Sequence, residues 1–211
     1  ILINHKKLKN DFGEFKKLKI CVVIDHGRAG NMFFLRLFDQ HPEVLVIARL
    51  GYFYSAICKL FDGHKEIDGN KAIDWLVNDS EFRTLCLEMN PEIESTFLRA
   101  GEDVEIEIDR GAIVAGLKRI LVGKVNKSDV FHATHFAYCL GTKRDTKQFK
   151  YILINDSITG LDEYLILEAM KNDFYKIKFI HLVRDPRANF ASLRHQYVNA
   201  FGTMYPIYPR R

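Results

Sequence analysis

Four short apolar runs, separated by segments with helical spacing, constrain the fold of this chain most strongly. The first and third runs are Lys19–Asp25 (KICVVID) and Tyr151–Asn155 (YILIN), and the other two cover 44–48 and 176–184. Each is rich in β-branched residues and lacks alternation, which is typical of strands covered on both faces. Helical spacing returns over 31–40, 112–122, 128–140 and 162–171. Strands that alternate with helices predict an α/β domain with a parallel sheet flanked by helices.

The boundaries of this domain follow from the same pattern. Residues 1–18 are rich in lysine and show no clear period, so we expect a surface arm there. Residues 19–211 then form one α/β domain, with a helical insertion over about 52–147 between the second and third strands.

Composition excludes several functional classes. The net charge of +4 over 211 residues is too small to predict a nucleic-acid partner. No apolar run approaches the roughly 20 residues of a membrane-spanning helix, so no integral membrane segment is expected. The four cysteines are dispersed without the spacing of a zinc site, so we expect no metal. Dispersed free thiols favour a reducing compartment, and we expect a cytoplasmic protein.

The turn after the first strand has the composition of an anion-binding site. It reads His26-Gly27-Arg28-Ala29-Gly30 and leads directly into a helix. A helix N-terminus offers unpaired N–H groups and a partial positive charge, and Arg28 adds a guanidinium. The turn lacks the Gly-Lys-Ser/Thr ending of the Walker motif, which argues against an ordinary ATP or GTP hydrolase.

The fourth strand also ends in an arginine, within the sequence FIHLVRDPRANFAS. Arg184 ends the strand, Asp185 and Pro186 are typical of a helix start, and Ser192 follows two helical turns later. A guanidinium and a hydroxyl so placed could hold one phosphate. The alternative is a surface ion pair between Arg184 and Asp185. Because ligands bind at the carboxyl ends of parallel strands, both junctions belong to the candidate site.

Together the two segments resemble the sulfotransferases that use 3′-phosphoadenosine 5′-phosphosulfate (PAPS), in the carbohydrate and bacterial branch. The second motif matches closely, and GRAGNMFFLRLFDQHPEV matches the first motif in part. The resemblance implies a P-loop-like fold and a small-molecule or carbohydrate acceptor. It also implies that Arg184 and Ser192 hold the 3′-phosphate. The 5′-phosphosulfate would be held by Arg28, Ala29, Gly30, Asn31 and Met32, with Arg28 also catalytic. If a membrane anchor was removed, the compartment would be the Golgi lumen. Such enzymes normally continue well beyond the second motif, whereas only 197–211 follow it here, so the resemblance implies either a truncated C-terminus or a less enclosed cofactor site.

The base that would take the acceptor's proton is less clearly marked. The candidates are His132 and His135, three residues apart on one predicted helix, with His26 a third option. A structural role is the alternative for both, and His181 is expected to be structural because its strand is of buried type.

Two other functions remain open at this point. Ala29, Asn31 and Met32 replace residues that usually carry hydroxyls, which is compatible with a non-catalytic nucleotide-binding homologue. A P-loop kinase-like phosphotransferase is the other alternative, and it would need a lysine in the turn. Neither the oligomeric state nor the acceptor follows from the sequence.

Overall fold

A computed structural model describes residues 5–25, 30–38, 41–51, 53–80, 82–88, 108–155 and 163–201. The described helices and strands alternate along most of the chain. The helices are α1 (His5–Phe15), α2 (Asn31–Arg36), α3 (Phe53–Phe61), α4 (Gly69–Asn78), α5 (Arg110–Ile120), α6 (Lys127–Gly141), α7 (Glu163–Asp173) and α8 (Pro186–Phe201). A π-helical segment covers Arg83–Glu88. The strands are β1 (Lys19–Asp25), β2 (Val44–Gly51), β3 (Ile67–Asp68), β4 (Lys124–Val125), β5 (Tyr151–Asn155) and β6 (Ile177–Leu182).

The main sheet has four parallel strands in the order β2-β5-β1-β6. The predicted α/β class with a parallel sheet and flanking helices is therefore confirmed. Strands β1 and β5 have the bounds that the sequence predicts. Between β2 and β5 lie α3 to α6 and a small antiparallel ribbon of β3 and β4.

The two faces of the sheet are covered very differently. Ile20 and Val22 of β1 point into a large core that includes residues of α1, α3, α5 and α6. Val23 points to the other face, where a small cluster includes Leu35 of α2. The described part of the chain thus buries most of its apolar surface on one side of the sheet.

Helix α1 differs from the expected surface arm over 1–18. Leu8 and Phe15 are 3% and 2% exposed, and Phe15 packs edge-on against Phe136 of α6 at a ring distance of 5.2 Å. Phe12 contacts the same ring at 5.6 Å. These three apolar residues are spaced four and three apart, which places them on one helical face. The pattern was missed in the sequence because three apolar residues among several lysines give only a weak periodic signal.

Helix α6 forms the centre of the large core. Its residues from Val130 to Cys139 are all buried, which is why this helix lacks a polar face. Its N-cap is Asn126, whose Oδ1 accepts from the Asp129 backbone N–H at 2.8 Å. The N-cap of α5 is Asp109, whose side chain accepts from the Ala112 N–H at 2.9 Å.

Strand β6 lies at one edge of the described sheet, and its side chains are only partly covered. His181 is exposed on this strand, so the prediction that its strand is buried was wrong at this position. The sequence run is apolar enough for a central strand, but only β1 pairs with it among the described residues. None of the described helices is long and apolar enough to span a membrane.

Candidate functional site

The two arginine-containing junctions leave the sheet side by side. β1 and β6 are neighbouring parallel strands, and their last residues, Asp25 and Leu182, are register partners. The turn after β1 and the segment after β6 therefore begin next to each other, at the carboxyl ends of the strands. Parallel α/β sheets bind their ligands at this end of the strands.

At the first junction, the structure describes the chain again from Gly30. Gly30 is the N-cap of α2 with φ 96° and ψ 21°, a left-handed conformation that favours glycine. No described atom lies within 4 Å of where a Cβ on Gly30 would be. Asn31 and Met32 begin α2, whereas His26, Arg28 and Ala29 lie outside the described residues.

At the second junction, Arg184 is exposed and Asp185 caps α8. Asp185 Oδ1 accepts from the Arg187 backbone N–H at 2.8 Å, and Asp185 Oδ2 pairs with the Arg187 guanidinium at 2.8 Å. The Arg187 guanidinium holds the pKa of the Asp185 carboxyl below its usual range. Asp185 thus has Arg187 as an ion-pair partner, which the sequence-based alternative of an Arg184–Asp185 pair did not include.

Helix α8 carries the remaining residues of this junction. Ser192 is half-buried, two turns into the helix. Asn189 lies between Arg184 and Ser192 in the chain, and its buried Oδ1 has no hydrogen-bond partner in the described structure. Sequence reasoning did not single out Asn189, because an asparagine inside a helix gives no signal of burial.

The two candidate bases lie in the core rather than at the carboxyl ends of the strands. His132 and His135 are 2% and 0% exposed. Each Nδ1 donates to the carbonyl four residues earlier, at 2.7 Å to Ser128 and 2.8 Å to Phe131. Each Nε2 is buried with no partner in the part of the chain described.

Burial also sets the protonation state of these rings. It lowers the pKa of His132 and of His135 to about 4, so both are neutral near pH 7. A base with so low a pKa is weak at neutral pH, and the core around it would have to open to admit an acceptor. The packing therefore favours the structural alternative for both histidines.

A polar cluster away from the sheet edge was missed by sequence reasoning. Tyr54, which is 1% exposed, donates its hydroxyl proton to Asp173 Oδ2. Lys127 Nζ lies 3.0 Å from the same oxygen. The three residues come from α3, α6 and α7 and carry no motif, so no local signal could have grouped them.

The comparisons with known proteins identify no relative. No protein-family model, no curated protein and no solved structure matches this chain. Within the described ranges, no group of three or more histidine, cysteine, aspartate or glutamate side chains is arranged to hold a metal ion. The arguments for function therefore depend on the chain's own residues and their placement.

Proposed function

We propose that this chain has a P-loop-like fold and is a PAPS-dependent sulfotransferase. The acceptor would be a hydroxyl or amine of a sugar, glycolipid or small metabolite. One observation carries the proposal: Asp25 and Leu182 are register partners, so the two motif-bearing junctions start next to each other. A donor with a 5′-phosphosulfate and a 3′-phosphate needs two anion-binding sites that lie close together.

The described residues fit such a donor. The left-handed Gly30 begins α2 at the first junction, and Arg184 presents an exposed cation near the start of α8 at the second. Ser192 adds a hydroxyl on the same helix. A guanidinium and a hydroxyl together suit a phosphate, since both can donate to its oxygens.

In the proposed reaction, the acceptor oxygen or nitrogen attacks the sulfur in line with the leaving group. The bond between sulfur and the 5′-phosphate oxygen breaks, and 3′-phosphoadenosine 5′-phosphate leaves with the negative charge. The acceptor's proton passes to a base. Arg28 and the backbone N–H groups that follow it would stabilise the charge that develops on the leaving phosphate.

Calorimetric titration with 3′-phosphoadenosine 5′-phosphate and with AMP tests the donor site. We expect the wild-type protein to bind the first ligand about 10- to 100-fold more tightly, because AMP lacks the 3′-phosphate. Arg184→Ala should remove that preference and leave AMP binding unchanged, since Arg184 acts on the 3′-phosphate.

The matched control is Lys118→Ala, which removes an exposed cation from the last turn of α5. It should bind both ligands as the wild type does. A folded wild-type protein that binds neither ligand would overturn the proposal. So would an Arg184→Ala variant that loses affinity for both ligands equally.

A second candidate, a non-catalytic nucleotide-binding homologue, is favoured by the burial of His132 and His135. It makes the same binding prediction and differs in turnover. Incubation with PAPS carrying labelled sulfate and a panel of sugar, amine and phenol acceptors separates the two. Label on an acceptor supports the enzyme, and donor binding without transfer supports the homologue.

A further inference from the structure

An open cavity of about 560 Å³ lies between α3, α6 and α7. Its volume is within the range of small-molecule sites. Its charged end is separate from the candidate donor site, because Asp173 comes shortly before β6 and Arg184 shortly after it. Six residues of strand span about 20 Å, so the two sites are at opposite ends of β6.

One wall of the cavity is cationic. It is lined by Lys65 and Lys127, with Asp173 as the carboxylate among the lining residues and His64 beside it. Two lysines against one aspartate leave an excess positive charge on this wall. No described carboxylate lies within ion-pair distance of Lys65, so this cation is available to a ligand.

The cluster described above holds the second cation in place. Lys127 is 23% exposed and is bound at 3.0 Å to Asp173, which also accepts from the buried Tyr54 hydroxyl. Burial, and then the contact with Asp173, raise the pKa of Tyr54, so the phenol stays protonated and adds no negative charge. The ammonium is thus positioned before any ligand arrives, which reduces the entropy cost of binding.

The opposite wall is apolar. It is formed by Leu165, Ile166 and Ala169, on consecutive turns of α7. Leu165 is 67% exposed, so its side chain is accessible to a ligand that enters the cavity. Cys58 lines the cavity as well and is half-buried.

We propose that this cavity binds a small amphipathic anion, with an acidic head group and an aliphatic or aromatic body. The head group contacts Lys65 and Lys127, and the body lies along Leu165 and Ile166. The site is independent of the proposed donor site.

Titration with octanoate tests the proposal. Octanol and acetate are the comparison ligands, because each carries only one of the two parts of octanoate. Octanoate should bind more tightly than octanol, which lacks the charge, and than acetate, which lacks the body. Lys65→Gln should weaken octanoate binding about five- to tenfold and leave octanol binding unchanged. Lys118→Gln, which removes an exposed lysine from α5, is the matched control and should have no effect.

A chemical readout locates the bound octanoate. Bound octanoate should slow alkylation of Cys58 by iodoacetamide. Cys21, which is half-buried on β1, should be alkylated at its usual rate. Peptide mass spectrometry measures both thiols in one sample. Equal binding of octanoate to the wild type and to Lys65→Gln would overturn the proposal, and so would the absence of octanoate binding. Loss of binding to 3′-phosphoadenosine 5′-phosphate would leave it standing, since that ligand tests the other site.

Discussion

Gly69→Ala is expected to lower the free energy of unfolding by about 3 kcal/mol, the upper end of what overpacking costs. Gly69 begins α4, and its N–H donates to the Gly123 carbonyl at 2.7 Å. A Cβ there would lie 2.3 Å from the Leu121 carbonyl oxygen and 3.2 Å from the Gly123 oxygen. The backbone at 121 has little freedom to retreat, because the Leu121 side chain is buried and its N–H is bonded to Leu117.

Chemical denaturation at neutral pH measures this loss, and Gly13→Ala is its matched control. Gly13 is exposed within α1, and no atom lies within 4 Å of where its Cβ would be. The same substitution should therefore stabilise the protein by about 0.5 to 1 kcal/mol, because alanine is the better helix former. Opposite signs for the two variants are the expected result. A destabilisation at Gly69 no larger than about 0.5 kcal/mol would contradict the close approach.

The strands were predictable because their sequence pattern has one clear physical cause. Residues covered on both faces must be apolar throughout, and Lys19–Asp25 and Tyr151–Asn155 show that pattern with sharp ends. The fourth run shows it too, yet β6 lies at the edge, since a pattern of apolar residues does not report how many neighbours a strand has. Helix α1 was missed because three apolar residues among lysines are a weak periodic signal.

The candidate donor site was predictable only in part. The sequence places an arginine at the end of each of two strands, and parallel pairing puts both ends at one edge. That β1 and β6 are direct neighbours depends on the strand order, which no local pattern encodes. The cavity between α3, α6 and α7 was not predictable at all. Lys65, Lys127 and Asp173 are each unremarkable in sequence and are grouped only by the packing of the insertion against α7.

Acid should destabilise this protein through the two buried histidines of α6. Burial holds the folded-state pKa of each at about 4, against 6.5 for an exposed ring. Between those values the unfolded chain binds protons that the folded chain excludes, so stability is full above about pH 6.5 and falls as the pH drops towards 4. When the pH is lowered from about 7.5 to about 4.5, each histidine should lower the free energy of unfolding by about 2 to 3 kcal/mol.

His135→Leu tests this sign and size. Leucine fills a similar volume and does not titrate, so the variant should lose about 2 to 3 kcal/mol less than the wild type over the same pH interval. Denaturant unfolding at several pH values gives both slopes, and comparing slopes removes the contribution of the carboxylates common to both proteins. The control is His64→Gln, because His64 is exposed and meets water in the folded and unfolded states alike. Parallel pH profiles for the wild type and His135→Leu would mean that the pKa of the ring is the same in the folded and unfolded protein. That result would return His135 to consideration as a base, since a base works best when its pKa lies near the working pH.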